Sequence, residues 1–497
     1  MPPRPGRRFA SLVLAPLAVL AAVLLAACTT AANPEAQPTL EATPAAASLR
    51  VGTPVPIDPT APLSETQVRS WADRLTGLNS SELGDFFEVA RGTRDERFVL
   101  PLIEAMRFYE PEARLFITDT LRLLTGVDFA GDDTWPQWYR WLADHPDLPQ
   151  ISGYQTWKAD LYRRAAGGSP FERFLIDGRE TELRVELIQF SGAAIEGFPT
   201  LEPPLLIAGS KASYLEPDEL VVGLEINGDA RAYPLRIVDW HETVNDTVGG
   251  VPITLAYCTF CGSGAVWDRR PDPEDQPLSF GYSGLLYEAT RLLHDNDGDN
   301  LWSPLSGRPV HGPLVGDGVA LRQLASIQTT WARWLEAHPE TLVMTDQTGY
   351  VREYTFDTRP AAYRASPEVD LPYSQSSDLL APKDRTYTIE INGTRVAYSL
   401  GDLRRSEVLN DDVEGTTVVL VADATDGGVR AYARGDHQFS AASGGLLDEN
   451  GTHWTITEQE LVADDGEALP RIVGTQAYWF AQFLAFPEAE LRRFTPA

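Results

Sequence analysis

Two stretches, EINGDARAYP at residues 225–234 and EINGTRVAYS at residues 390–399, decide how this chain folds. A shift of 165 residues aligns residues 225–269 with residues 390–434 without a gap, and fifteen of the 45 aligned positions are identical. Each stretch begins as a strand, turns at an Asn-Gly pair that suits a type I′ hairpin, and returns as a second strand. The sequence therefore predicts two copies of one unit.

Both copies continue in the same way beyond the hairpin. A short helix and an apolar strand follow, the strand at residues 253–257 in the first copy and 418–422 in the second. Further along, a shift of 148 residues pairs Trp331 with Trp479, Pro339 with Pro487, and Glu340 with Glu488. We therefore expect an α+β fold with two tandem units rich in short strands, residues 201–345 and a degenerate second copy at residues 375–497.

A region of different character precedes the two units. Apolar residues at spacings of three and four recur through residues 63–147, with Ser64 and Asp95 at helix starts and Gly126 at a helix stop. Short helices joined by tight turns predict a helical-repeat module. Beyond it the pattern changes to short strands and turns, so residues 148–200 are predicted to be a connecting segment.

The first residues have the composition of a secretory signal. Three arginines precede an apolar run that ends in Leu25-Ala26-Ala27-Cys28. This ending resembles a bacterial lipobox, which implies removal of residues 1–27 and acylation of the Cys28 thiol. A retained membrane-spanning helix is the alternative, because the apolar run is close to spanning length.

The segment after Cys28 predicts where the body of the protein resides. Residues 28–62 are rich in Ala, Pro and Thr and lack apolar periodicity, which predicts a disordered tether. We therefore expect an extracytoplasmic body, anchored to a bacterial membrane through lipid on Cys28, where disulfides persist. The formal net charge of −30 argues against nucleic acid as a partner and against docking on an anionic membrane surface.

The main chemical signal is the Cys-x-x-Cys pair formed by Cys258 and Cys261. Cys28 is the only other cysteine in the sequence. A pair this close can form a static disulfide, exchange disulfides as a dithiol, or supply two soft ligands to a metal. A disulfide that closes so short a loop removes little chain entropy, which counts in favour of a chemical role.

The duplication provides an internal comparison. Positions shared by both copies, such as Glu242 and Glu407, are expected to serve the fold. Three candidate site residues are not shared, because Cys258 aligns with Asp423, Cys261 with Asp426, and His241 with Ser406. Any thiol chemistry is therefore expected in the first unit only.

Several short motifs of the first unit occur in combination. They are Ala232-Tyr233-Pro234, Trp240-His241-Glu242, residues 257–263, residues 283–287, Leu301-Trp302-Ser303 and residues 330–334 with His338-Pro339. Together they resemble a bacterial family known as domain of unknown function 3179, over residues 223–340. The family commonly has Pro-Leu where this chain has Thr259 and Phe260, and Asp295 matches a position that is usually acidic. The resemblance implies no established activity.

Three hypotheses for the function follow. The leading one is a redox-active dithiol that exchanges disulfides with a partner protein, with Cys258 attacking, Cys261 resolving and His241 stabilising the thiolate. The second is a copper or zinc site made by both thiolates and His241, loaded by a metal-donor protein. The third is a non-catalytic binding or scaffold protein with a structural disulfide.

The first two hypotheses require particular surroundings for the cysteine pair. We expect a partly open pocket there, with His241 and Asp295 on its wall. A metal site further requires a ring nitrogen of His241 close to both sulfur atoms. Sulfur atoms sealed in a core, with His241 turned away from them, count against both hypotheses.

Replacement of Cys28 tests the predicted anchor. Cys28→Ser should abolish membrane association and leave the body folded, because lipid on this thiol is the expected attachment. Cell fractionation with immunodetection measures the distribution. A variant that stays in the membrane with its signal uncleaved would show that the apolar run is itself the anchor.

Overall fold

The computed structural model describes residues 51–58, 61–129, 134–355 and 358–494. The predicted signal peptide, Cys28 and residues 28–50 of the predicted tether lie outside the described residues. In the described part, no helix has the length and apolar character needed to cross a bilayer. The chain is mixed α+β, with a helical region followed by many short strands.

In residues 51–58, 61–129 and 134–165, the N-terminal region has six α-helices. They are α1 (Glu65–Thr76), α2 (Gly84–Thr93), α3 (Val99–Ala105), α4 (Pro111–Thr125), α5 (Trp135–Ala143) and α6 (Tyr154–Ala165). Ser64 caps α1 in a capping box with Gln67. Pro111 begins α4, and Gly126, in the left-handed conformation, caps its C-terminal end, as the sequence predicts.

Helix α6 lies in residues 148–200, where the sequence pattern predicted short strands and turns. Its buried face carries Trp157 and Leu161, and Lys158 is fully buried beside them. Lys158 forms an ion pair with Glu104 of α3, with 2.8 Å between Nζ and the carboxylate. The sequence pattern concealed this helix because a lysine interrupts the apolar face, and its charge is compensated only by a residue distant in sequence.

Short strands and two short helices follow. In chain order they are β1 (Ile188–Phe190), β2 (Leu206–Ala208), β3 (Leu220–Ile226), β4 (Asp229–Pro234), α7 (Leu235–Val238), β5 (Thr243–Val248), β6 (Val251–Cys258), β7 (Ser263–Asp268), β8 (Phe280–Tyr287), β9 (Thr290–Asp295), β10 (Leu301–Ser303), β11 (Arg308–His311), β12 (Gln323–Leu324), β13 (Ile327–Thr330), α8 (Trp331–Ala337) and β14 (Leu342–Met344).

These strands form three sheets. Two have the strand orders β13-β3-β4-β14-β2 and β12-β7-β6-β5. The third, in the order β1-β8-β9-β10-β11, shares one apolar core with the N-terminal helices through Leu285, Leu292 and Val310. The helical region is therefore packed against the first unit and buries part of its sheet.

The second unit repeats the series of elements. After α9 (Arg359–Ala365) come β15 (Arg385–Ile391), β16 (Thr394–Ser399), α10 (Leu400–Ser406), β17 (Val408–Val413), β18 (Thr416–Ala422), β19 (Val429–Ala433), β20 (Ser440–Ala442), β21 (Gly445–Leu447), β22 (His453–Ile456), β23 (Glu460–Ala463), β24 (Ala468–Ile472), β25 (Gly474–Tyr478), α11 (Trp479–Ala485) and β26 (Glu490–Arg492).

Strand pairing confirms the duplication. In the first unit, the β3–β4 hairpin is flanked by β13, antiparallel to β3, and by β14, parallel to β4. In the second unit, the β15–β16 hairpin is flanked by β25, antiparallel to β15, and by β26, parallel to β16. Strand order and direction are thus the same in both units, as the shared sequence pattern predicts.

The two hairpin turns also have matching backbones. The φ angles of Asn227 and Gly228 are +51° and +79°, and those of Asn392 and Gly393 are +52° and +82°. Positive φ at both central residues is the requirement of a type I′ turn, which explains the Asn-Gly pair in each copy.

Candidate functional site

The Cys-x-x-Cys loop joins the end of β6 to the start of β7. Its sulfur atoms form a disulfide of 2.09 Å, and the Cα atoms of Cys258 and Cys261 are 5.2 Å apart. Both residues have 0% of their surface exposed. They belong to an apolar cluster with Ala289, Leu305, Tyr363, Ala477, Tyr478, Phe480 and Ala481. The partly open pocket expected at the pair is therefore contradicted, because aromatic residues beyond the first unit cover the loop.

The His241 ring forms its hydrogen bonds with residues other than the two cysteines. Its Nδ1 lies 2.6 Å from the carbonyl oxygen of Pro199, and its Nε2 lies 2.6 Å from the hydroxyl of Tyr354. Burial lowers the pKa of His241 to about 4, so the ring is neutral at pH 7. Nδ1 then donates to Pro199, and Nε2 accepts from Tyr354. Neither nitrogen is left to stabilise a thiolate or to bind a metal.

The three predicted metal ligands are not brought together. Within the described ranges, the only group of His, Cys, Asp or Glu side chains with three close ligand atoms is His437, Asp448 and Glu449, in the second unit. Cys258, Cys261 and His241 do not form such a group. The described residues therefore lack the close arrangement that a copper or zinc site at these three residues requires, and the metal site stays a prediction.

Asp295 stabilises a turn and does not line a pocket at the disulfide. Its carboxylate accepts hydrogen bonds from the Asn300 backbone at 3.1 Å, from the Asn300 amide at 2.7 Å and from Trp302 Nε1 at 3.1 Å. These bonds fix the connection between β9 and β10. The acidic residue matters here for the fold, which corrects its predicted place on the wall of a site.

Helix α9 holds the Cys-x-x-Cys loop from outside the first unit. The Tyr363 hydroxyl donates to the carbonyl oxygen of Phe260 at 2.9 Å. Arg364 forms an ion pair with the buried Asp239, which also accepts from the Thr259 hydroxyl at 3.1 Å. Burial raises the pKa of Asp239, and Arg364 opposes the rise. Sequence reasoning missed these contacts because α9 lies between the two predicted units.

A second buried ion pair, between Glu242 and Arg291, lies on the other side of the loop. The Arg291 guanidinium is surrounded by the rings of Phe198, Phe260 and Tyr282, at 4.6, 5.0 and 4.9 Å from the ring centroids. Burial raises the pKa of Glu242 to about 7, although Arg291 favours the charged form.

Glu242 and its equivalent Glu407 share a backbone role. Both have positive φ, +56° and +61°. The carbonyl oxygen of each accepts a hydrogen bond of 2.8 Å, from Tyr257 in the first unit and from Ala422 in the second. Their side chains differ, because Glu242 is buried and Glu407 is exposed. The shared position thus serves the fold, as expected, while only the first unit has the buried charge.

The equivalent loops of the two units each contact the other unit. The backbone N–H of Tyr478, at the end of β25, donates to the carbonyl oxygen of Cys261 at 2.7 Å. The backbone N–H of Thr330, at the end of β13, donates to the Asp426 carboxylate at 2.9 Å. Tyr478 corresponds to Thr330, and Asp426 to Cys261, so the two contacts are related by the duplication.

Arg385 bridges the same interface. Its Nη2 donates to the side-chain oxygens of Gln328 at 2.6 Å and Gln476 at 2.7 Å, which are themselves equivalent residues. The Gln476 amide donates to the carbonyl of Gly427 at 2.9 Å, and the Gln328 amide lies 3.4 Å from that of Gly262. One guanidinium thereby connects the loops of both units.

The region of the chain that matches a known protein family includes both units. Residues 195–489 match the family described as "Protein of unknown function (DUF3179)". The chain belongs to the DUF3179 family. No curated protein and no solved structure matches it. The DUF3179 region includes both units, whereas the motifs recognised in the sequence covered residues 223–340 only. The reciprocal contacts therefore lie inside a single family region.

Glu242→Gln should change how stability depends on pH in this DUF3179 protein. The carboxyl titrates near 4.5 when unfolded and near 7 when folded, so the folded state binds its proton more tightly. Raising the pH through this window should therefore cost wild type about 3 kcal/mol of unfolding free energy. Glutamine does not titrate. Any deficit of the variant relative to wild type should therefore shrink as the pH rises from about 5 to about 8, because wild type loses stability over this range and the variant does not.

Urea unfolding followed by tryptophan fluorescence measures this deficit at each pH. Glu407→Gln, at the equivalent exposed position, is the matched control and should show no comparable change. A Glu242→Gln deficit that is constant or grows with pH would show that Glu242 is already ionised in the folded protein at low pH.

Proposed function

We propose that this chain is an extracytoplasmic binding or scaffold protein, tethered by lipid at Cys28, in which the Cys258–Cys261 disulfide is structural. One observation carries the structural part of the proposal. The same turn is built in both units, by a disulfide in the first and by a carboxylate in the second, and both turns contact the opposite unit.

The hydrogen bonds of the two turns correspond closely. In the first unit, the Cys261 N–H donates to the sulfur of Cys258 at 3.2 Å. In the second unit, the Asp426 N–H donates to the Asp423 carboxylate at 3.3 Å, and Thr425 N–H donates to it at 2.7 Å. A residue that differs between the copies thus performs one structural task by two kinds of chemistry. The difference between the copies at these positions is therefore consistent with a structural role for the disulfide.

Thiol–disulfide exchange with a partner protein is the second candidate. It is favoured by the pKa of about 7 for Glu242, since a buried carboxyl near the loop can accept a thiol proton. Exchange requires direct attack on a sulfur atom. Tyr363 of α9 and the Tyr478 ring would have to move away first, because both cysteines are fully buried.

The remaining parts of the proposal come from the sequence. The lipobox-like ending at Cys28 supports attachment to a bacterial membrane, and the net charge of −30 disfavours nucleic acid as a partner. The duplicated body, with its interlocking interface, presents a surface formed by both units. Such a surface suits binding or assembly at the cell envelope.

Access to the sulfur atoms tests the structural role. Native protein incubated with dithiothreitol and then with a maleimide should leave Cys258 and Cys261 unlabelled, because both are enclosed. Both should label after unfolding in guanidinium. The label is read by mass spectrometry of the peptide that contains the pair, so Cys28 does not interfere. Rapid labelling of native protein, together with catalysed reduction of insulin, would establish the exchange activity instead.

The matched variants of the two turns complete this test. Cys258→Ala with Cys261→Ala should remain folded and lose about 2 kcal/mol of unfolding free energy. Without the disulfide, the unfolded chain regains the loop-closure entropy of this short loop. Asp423→Ala with Asp426→Ala should destabilise by a similar amount, since each lost carboxylate leaves backbone donors unpaired. A cysteine variant with unchanged stability would contradict a structural role for the disulfide.

A further inference from the structure

A cleft in the second unit lies beside the disulfide cluster. Its volume is about 600 Å³, within the range of small-molecule sites. The cleft is bounded by residues 378–385, by Ser399 and the first residues of α10, and by Arg493 after β26. Two of its lining residues also reach the surroundings of the Cys-x-x-Cys loop, since Arg385 binds Gln328 and Lys383 donates to the carbonyl of Tyr363.

The cleft is basic, although the chain is strongly acidic. Its cationic side chains are Lys383, Arg385, Arg404, Arg405 and Arg493, and its acidic ones are Asp378, Asp384 and Asp402. The whole chain has 71 acidic residues against 41 Lys and Arg. A concave surface with an excess of one charge raises the local concentration of ions of the opposite sign.

Three of these cations form no ion pair with a carboxylate of the described residues, and their donors go to neutral oxygens. Lys383 donates to the Tyr363 carbonyl, Arg385 to the side chains of Gln328 and Gln476, and Arg404 to the carbonyls of Ala424 and Thr425. Arg405 and Arg493 share a single carboxylate, that of Asp402. The positive charge of the cleft is therefore only partly neutralised.

Burial adds a cost that an anion would offset. Desolvation lowers the pKa of both Lys383 and Arg385, and the nearby Asp370 offsets this shift at Lys383 only in part. The ammonium of Lys383 lies 3.5 Å from the centroid of the Tyr363 ring, so its contacts are largely to neutral groups.

The basic residues are specific to the second unit. In the alignment of the hairpins, Arg385 corresponds to Leu220 and Arg404 to Asp239. The first unit therefore has an apolar residue and an acid where the second has two arginines. Arg385 also bridges Gln328 and Gln476 at the interface of the units, so the substitution places both an interface contact and positive charge at the cleft.

We propose that this cleft binds a small molecule carrying several oxyanion groups, of the phosphate-ester or polycarboxylate kind. Guanidinium groups match the paired oxygens of carboxylate and phosphate, and an ammonium adds a mobile point charge. This inference rests on the proposed binding function, because it names the class of ligand that the protein would bind. The thiol test above is independent of it.

Titration calorimetry of the full-length protein in detergent tests the proposal. Pyrophosphate and citrate are titrated separately, with ionic strength held constant by sodium chloride, and their relative affinities identify phosphate or carboxylate as the preferred group. At least one should bind at a single site with a dissociation constant below about 1 mM. Absence of binding by both would overturn the proposal.

Charge-removing variants locate the site. Lys383→Gln and Arg405→Gln should each weaken binding by at least about fivefold, as expected for loss of a charge-assisted contact. Arg333→Gln, an exposed arginine that does not line the cleft, removes the same charge and should leave the affinity unchanged. If Lys383→Gln fails to fold, the variants Arg405→Gln and Arg493→Gln, at exposed positions, decide the outcome. Equal weakening by Arg333→Gln would show that binding is nonspecific.

This design separates the two proposals. If no anion binds and the sulfur atoms of the native protein stay unreactive, the scaffold function is retained and this ligand site is rejected. Anion binding in a protein that also exchanges thiols would retain the cleft and overturn the structural role of the disulfide.

Discussion

The two units hold each other through a pair of equivalent hydrogen bonds, Tyr478 N–H to the Cys261 carbonyl and Thr330 N–H to the Asp426 carboxylate. Each bond satisfies a backbone donor at the end of a strand, where an unpaired buried N–H would cost free energy. Both need a loop of fixed shape on the opposite unit. The rest of the interface follows, including the bridging of Gln328 and Gln476 by Arg385.

The fixed loops are obtained by different chemistry because their surroundings differ. In the first unit the loop is enclosed by aromatic rings, where a disulfide needs no solvent and adds no charge. In the second unit Asp423 is only partly buried and accepts from the backbone of its own turn. The buried charges of the first unit lie beside the loop and not within it, in the ion pairs Asp239–Arg364 and Glu242–Arg291. Buried pairs of this kind hold a geometry but contribute little net stability.

The sequence predicted what is encoded locally. The hairpins with Asn-Gly turns, the capped helices α1 and α4, and the two copies of one strand order all follow from periodicity, turn chemistry and internal identity. Helix α6 was missed because Lys158 interrupts its apolar face. The surroundings of the cysteine pair could not be predicted, since Tyr363 and Tyr478 reach the loop from positions far along the chain. Comparison of the copies does not by itself decide the role of Cys258, because a residue that differs between copies can still serve the same turn.

The interlocking of the units is tested most directly by two glycines that differ in one respect. Gly262 and Gly228 both have positive φ, +62° and +79°. A Cβ at position 262 would lie 2.7 Å from the Tyr478 ring of the opposite unit, while nothing lies within 4 Å of one at position 228. Gly228→Ala should therefore cost about 1 kcal/mol from backbone strain alone. Gly262→Ala should cost about 1–3 kcal/mol more, from the clash with Tyr478. If urea unfolding shows that Gly228→Ala and Gly262→Ala lose the same unfolding free energy, the packing of the first unit's loop against the second unit is contradicted.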